Sequence, residues 1–188
     1  PQISNSNPPV ATGLLSETPT VPSNRINQKM QILDDEFLIV RTRYPEKLKA
    51  AIKNCEVASK GEVSEVLIDW TLENTQLLKK LQIKNVPSPI TKKYDWPGLY
   101  KPMQHQMETA EFFTLHKRAF CFNEQGTGKT ASAIWASDYL IKLGVIRRVL
   151  VICPLSIMQS AWQADLFKFA VHRKVDVAYG NRYKRKEI

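Results

Sequence analysis

The chain has 188 residues, 43% hydrophobic and 24% charged, enough apolar content to bury the core of one ordinary domain or two small ones. Lys and Arg outnumber Asp and Glu by 27 to 18, and the resulting net charge of +9 favours an anionic partner, nucleic acid or nucleotide first. Three scattered cysteines (Cys55, Cys121, Cys153) and a longest apolar run of only residues 149–153 exclude a disulfide-stapled secreted miniprotein and a membrane-spanning chain, so a reducing, cytoplasmic setting is expected.

Residues 1–33 are rich in Pro, Ser, Thr and Asn and hold too little periodic apolar content to offset the entropy of ordering. They are expected to form a flexible arm, either a leader without a role or a tail that binds a protein partner. Residues 34–95 look like a small α+β domain. In it, 37–41 (FLIVR) is a strand and 44–54 a helix opened by Tyr44-Pro45. Residues 63–70 (VSEVLIDW) form a second strand. Thr71 is placed to cap a helix through Leu77, Leu78 and Leu81, with Glu73 in its first turn facing the positive end of the macrodipole. Pro87, Pro89 and the turn-rich YDWPG set a boundary near residue 95.

Beyond it, apolar spacing alternates. Helices are expected at 103–117, 129–143 and 157–169, and strands at 119–122, 148–153 and 174–179. Strands separated by helices of this length imply a parallel sheet with covering crossovers. Residues 96–188 carry 14 basic against 7 acidic side chains, so the basic excess concentrates there.

The informative stretch is 120–130, FCFNEQGTGKT: an apolar run, a glycine-containing loop, Lys-Thr, then a helical pattern. This is the context that a phosphate-binding loop requires. Gly126 and Gly128 permit backbone conformations that a Cβ would forbid, so successive N–H groups can converge on a polyphosphate. Lys129 would place a cation on the β- and γ-phosphates, Thr130 would offer a hydroxyl to Mg²⁺, and the helix N-terminus would add its dipole. Asn123 stands where the general phosphate loop has its first glycine.

The loop together with RRVLVICPLSIMQSAWQADLFKF some twenty residues on resembles superfamily-2 helicases, most closely the Swi/Snf-type DNA translocases, phage-encoded members nearest. Asn123, Glu124, Gln125, Gly126, Thr127, Gly128, Lys129 and Thr130 match the family's nucleotide loop. Cys153, Pro154, Leu155, Ser156 and Trp162 match its next motif. The resemblance implies an α/β RecA-like fold with a parallel sheet over residues 96–188, the N-terminal part of a first helicase lobe. It implies an ATP-dependent DNA helicase or translocase with ATP and Mg²⁺ as cofactors. DNA would be its partner, held by the backbone with little sequence specificity. Gln106, ahead of Phe112 and Phe113, fits the adenine-reading glutamine, with Gln104 as the alternative.

The family's acidic D-E-x-x box and second lobe have no match here, so the chain looks like the N-terminal piece of a longer ATPase, inactive alone. Asp69 ends an apolar run but precedes the loop, and is expected to be a strand end. Ser156 would meet a DNA phosphate or cap the helix after it. Trp162 is expected in the core and Glu124 in solvent. Arg182, Lys184, Arg185 and Lys186 form either a solvated face or a phosphate contact. His105, His116 and His172 lack metal-ligand spacing. A protein- or DNA-binding accessory module with a passenger loop, or another P-loop ATPase, are the competing readings.

Overall fold

The chain was analysed as a computed structural model that describes residues 30–59 and 61–186; most of the arm expected at 1–33 lies outside them. Its first described element is a hairpin. Strands β1 (Gln31–Leu33) and β2 (Phe37–Thr42) pair antiparallel around a turn in which Asp34 and Asp35 both take positive φ, closed by Glu36 N–H to Leu33 O. The expected arm is therefore corrected at its end, where Gln31–Leu33 is an ordered edge strand.

Helix α1 (Pro45–Ala51) starts at a proline, whose fixed φ suits the first helical turn, and stops short of the expected Asn54 because the chain turns into β3 (Cys55–Ser59). Strand β4 (Ser64–Asp69) inserts between β2 and β3, giving the order β1-β2-β4-β3, antiparallel throughout. Period-two alternation sets the register. Leu38 faces Ile68 and Val40 faces Val66, and all four are buried. Leu48, Ile52, Trp70, Leu78 and Val86 close the core over this face.

Helix α2 (Leu72–Lys80) is capped by Thr71, whose hydroxyl accepts from Asn74 N–H at 3.2 Å, with Glu73 in the first turn. It serves two cores. Leu78 packs under the sheet, while Leu72 joins a second cluster built by α3 (Ile90–Lys93), α4 (Gln104–Leu115) and α5 (Lys129–Lys142) around the fully buried Trp135. Gln76 Nε2 donates to Thr114 O at 2.9 Å, tying α2 to α4.

The segment expected as one helix over 157–169 is a 3₁₀ turn (Leu155–Ile157), a π-helical stretch (Met158–Gln163) and α6 (Ala164–Phe169). Trp162 on it is half-buried and outside both cores. Helix α6 is clamped from three sides. Phe169 sets its ring against Trp135 at 5.0 Å, and Leu99 N–H donates to Lys168 O at 2.8 Å. Third, the buried Asp138 of α5 accepts from His172, Arg173 and Tyr94. Burial pushes the Asp138 carboxyl up, but the hydrogen bonds from Tyr94, Arg173 and His172 outweigh it and hold the group below the ordinary carboxylate range.

The parallel sheet expected from residues 119–122, 148–153 and 174–179 does not form. Among the described residues the one sheet is antiparallel and lies wholly in residues 31–69, and those three runs carry no strand pairing. Phe122 and Ile152, which lie in two of the runs expected as strands, are each 90% exposed. The RecA-like assignment is thereby overturned. A short apolar run says only that a segment is fit for burial. Becoming a strand needs a neighbour for its N–H and C=O groups. Helices α4, α5 and α6 close their core around Trp135 without recruiting those runs.

Candidate functional site

The loop between residues 123 and 128 opens α5, and its geometry follows from its glycines. Gly126 and Gly128 sit at φ +83° and +79°, the left-handed region in which a side chain is strained. Gly128 is also the residue before the first helical turn, so the N–H groups of Lys129 and Thr130 open the helix without partners in the preceding turn. Thr127 Oγ1 donates to Glu124 O at 2.9 Å, which folds the loop on itself.

Lys129 Nζ donates to the carbonyls of Asn123 at 2.9 Å and Glu124 at 2.7 Å. An ammonium on a flexible stem thus lies across the mouth of the loop, held by neutral acceptors that an anion can replace. Asn123 anchors the loop's start by donating its side-chain amide to Thr109 Oγ1 on α4 at 2.9 Å. A glycine at this position would have no such tether. Glu124 and Gln125 are exposed, and Glu124 uses only its carbonyl in the loop.

Gln106 is brought to the loop. Its Oε1 accepts from Met103 N–H at 3.0 Å, closing the start of α4, and its Nε2 approaches Thr127 O at 3.4 Å. A Cβ on Gly128 would collide with this amide. Both polar ends of Gln106 are therefore engaged with protein, and an adenine contact requires it to exchange them. Gln104 is turned away, donating to Glu108 Oε1 at 3.0 Å. His105 donates its Nε2–H to Thr127 O at 3.0 Å and so props the loop, a contact that metal-ligand spacing did not disclose.

A cleft of about 320 Å³ lies between the loop and α6, lined by Gln106, Lys129, Thr130, Asp165 and Phe169 among others. Asp165 was not singled out from the sequence. No motif marks it, and only the docking of α6 on α5 delivers it there. A wider hollow of about 570 Å³ lies on the α4 side of the loop, walled by His105, Phe112, Phe120, Phe122 and Asn123.

Ser156 is not gathered into this site. It is exposed inside the 3₁₀ turn and caps no helix with its side chain; its carbonyl accepts from Ser160 Oγ at 2.9 Å. The expected N-cap role is thus corrected, because the α-helix starts eight residues later. Arg182, Arg185 and Lys186 are exposed. His116 lies between Lys79 Nζ at 3.3 Å and Phe112 O at 2.8 Å, and His172 serves Asp138. Among the described residues there is no group of three or more His, Cys, Asp or Glu able to hold a metal by itself. Oxygen donors in the cleft, the Thr130 hydroxyl and the Asp165 carboxylate, suit a hard cation such as Mg²⁺, provided that phosphate oxygens and water complete its shell. Among the described residues, no helix is long and apolar enough to cross a membrane.

Comparisons with family profiles, with curated proteins and with solved structures find no match to this chain.

Proposed function

We propose that the chain binds the phosphates of ATP through residues 123–130 and is the ATP-binding part of a DNA-dependent ATPase of the helicase or translocase kind. The observation that carries this reading is Lys129. Its ammonium is held by two loop carbonyls at the opening of α5, beside two glycines in the left-handed conformation that phosphate cradling requires.

Each residue of the loop then has a task. The N–H groups at the start of α5 receive phosphate oxygens, assisted by the positive end of a 14-residue helix. Lys129 leaves the carbonyls of Asn123 and Glu124 for the phosphates. Asn123 and His105 hold the loop's two ends against α4, so the cradle exists before ligand arrives. Mg²⁺, where bound with the nucleotide, would neutralise phosphate charge next to the Thr130 hydroxyl. DNA contact rests on the basic excess of residues 96–188 and on exposed positions such as Ser156, Arg182 and Arg185.

Titration calorimetry with ADP and ATP tests the reading. The parent chain should bind with Mg²⁺ present, and Lys129→Ala should lose most of the affinity. Equal binding by the two proteins would remove the phosphate-loop assignment.

A further inference from the structure

The hollow on the α4 side of the loop is walled by phenyl rings that stay open to solvent. Phe120 and Phe122 are 81% and 90% exposed, and their rings lie nearly parallel, tilted by 17° with centroids 6.1 Å apart. Phe112 of α4 supplies a third ring, backed by His116 at 4.3 Å and by Phe113 at 6.1 Å. Single exposed apolar side chains are ordinary, whereas rings gathered at one concave place mark a contact surface.

The hollow is also built in advance of any partner. Asn123 Nδ2 donates to Thr109 Oγ1 at 2.9 Å, and His105 meets Thr127 O at 3.0 Å, so both ends of its loop wall are tied to α4. Its volume of about 570 Å³ is ample for one long side chain.

The local charge has the opposite sign to that of the chain. Glu108 and Glu124 line the hollow and no lysine or arginine does, although the net charge is +9. Glu108 accepts from the neutral amide of Gln104 at 3.0 Å, and among the described residues neither carboxylate has an ion-pair partner. Phosphate oxygens are thus disfavoured here and a cation is favoured. Ring faces add to this preference, because their quadrupole attracts cations. An arginine side chain meets every feature of the place. Its guanidinium stacks on phenyl faces, its fork matches a carboxylate, and its methylene stem packs on apolar surface.

We propose that this hollow is the docking site for an arginine side chain presented by a basic peptide segment of a partner protein. The inference does not rest on the phosphate-loop reading, since the three rings and Glu108 take no part in the phosphate cradle.

The test titrates the isotope-labelled 188-residue protein with acetyl-Gly-Gly-Arg-Gly-Gly-amide and follows the backbone amide resonances. A second peptide carries citrulline, which keeps the shape of arginine without its charge, and an oligothymidine serves as the nucleic-acid arm. The arginine peptide should shift the amides of residues 120–124, and the citrulline peptide should not. Phe122→Ala should weaken the arginine peptide about fivefold, the effect of one partly exposed cation–π contact. Glu108→Gln should weaken it about threefold and reduce its salt dependence. Both side chains are exposed, so neither variant removes a core contact.

Equal binding of the citrulline peptide overturns the proposal, because charge would then play no part. So does an arginine peptide that binds Phe122→Ala as well as it binds the parent, or that leaves the amides of residues 120–124 unmoved at millimolar concentration. Loss of oligothymidine binding in Phe122→Ala, with peptide binding unaffected, overturns it in favour of a surface on which bases stack.

Discussion

The Tyr94 hydroxyl donates to Asp138 Oδ2 at 2.6 Å, joining two residues 44 positions apart at the centre of the helical core. Burial, with the neighbouring Asp138 carboxylate, pushes the Tyr94 phenol far above its ordinary range, so it stays a donor at every accessible pH. Asp138, held below the usual carboxylate range, contributes stability that is present above about pH 4 and is lost as pH falls through its lowered folded value. Asp138→Asn should cost about 3 kcal/mol at neutral pH by leaving Arg173 without its counter-charge, and should flatten the acid side of the stability curve. Tyr94→Phe should cost about 2 kcal/mol and leave Asp138 still titrating. Urea unfolding between acid and neutral pH reads both.

Gly98 is a second point of closure. It takes φ +121°, and a Cβ there would lie 2.5 Å from Lys168 O and 2.7 Å from Phe169 Cα, both on the backbone. Neither atom has a side chain's freedom to move aside. Gly98→Ala should therefore destabilise by about 2 kcal/mol or more and loosen α6, weakening nucleotide binding as its wall of the cleft shifts. A melting curve paired with calorimetry measures both effects. An unaltered melting temperature would mean that α6 is not clamped there.

The Asn123 amide on Thr109 Oγ1 is the tether that a glycine at position 123 would lack. Asn123→Ala and Thr109→Val should each cost about 1 kcal/mol, and the double variant should cost clearly less than their sum. Additive effects in such a cycle would show that the two side chains do not act together.

Duplex DNA binding should weaken steeply with salt and differ little between two unrelated sequences, because phosphates rather than base edges would be contacted. A site using about four phosphate contacts has a log–log slope near −3 to −4. Replacing Arg182, Lys184, Arg185 and Lys186 together should flatten the slope in filter binding. Ser156→Ala should cost about 1 kcal/mol, as one uncharged hydrogen bond.

Local codes were legible from the amino acids alone. Alternation in FLIVRT and SEVLID is enough to place β2 and β4 and the face they bury, and Thr71 announces the start of α2. GTGKT ahead of ASAIWA marks both the helix α5 and the glycines that turn into it. These features depend on neighbours within a few residues, where backbone sterics and capping decide. What pairs with what was decided only in three dimensions. Apolar runs at 119–122 and 148–153 carry the same signal as a buried strand, yet among the described residues they lack a ladder partner, while the unremarkable QIL of β1 acquires one from β2. Asp138 and Asp165 look alike in the sequence. One becomes the buried acceptor of three donors and the other a wall of the cleft beside the 123–130 loop, because the docking of α6 onto α5 depends on contacts from Gly98, Trp135 and Arg173 that no local pattern encodes.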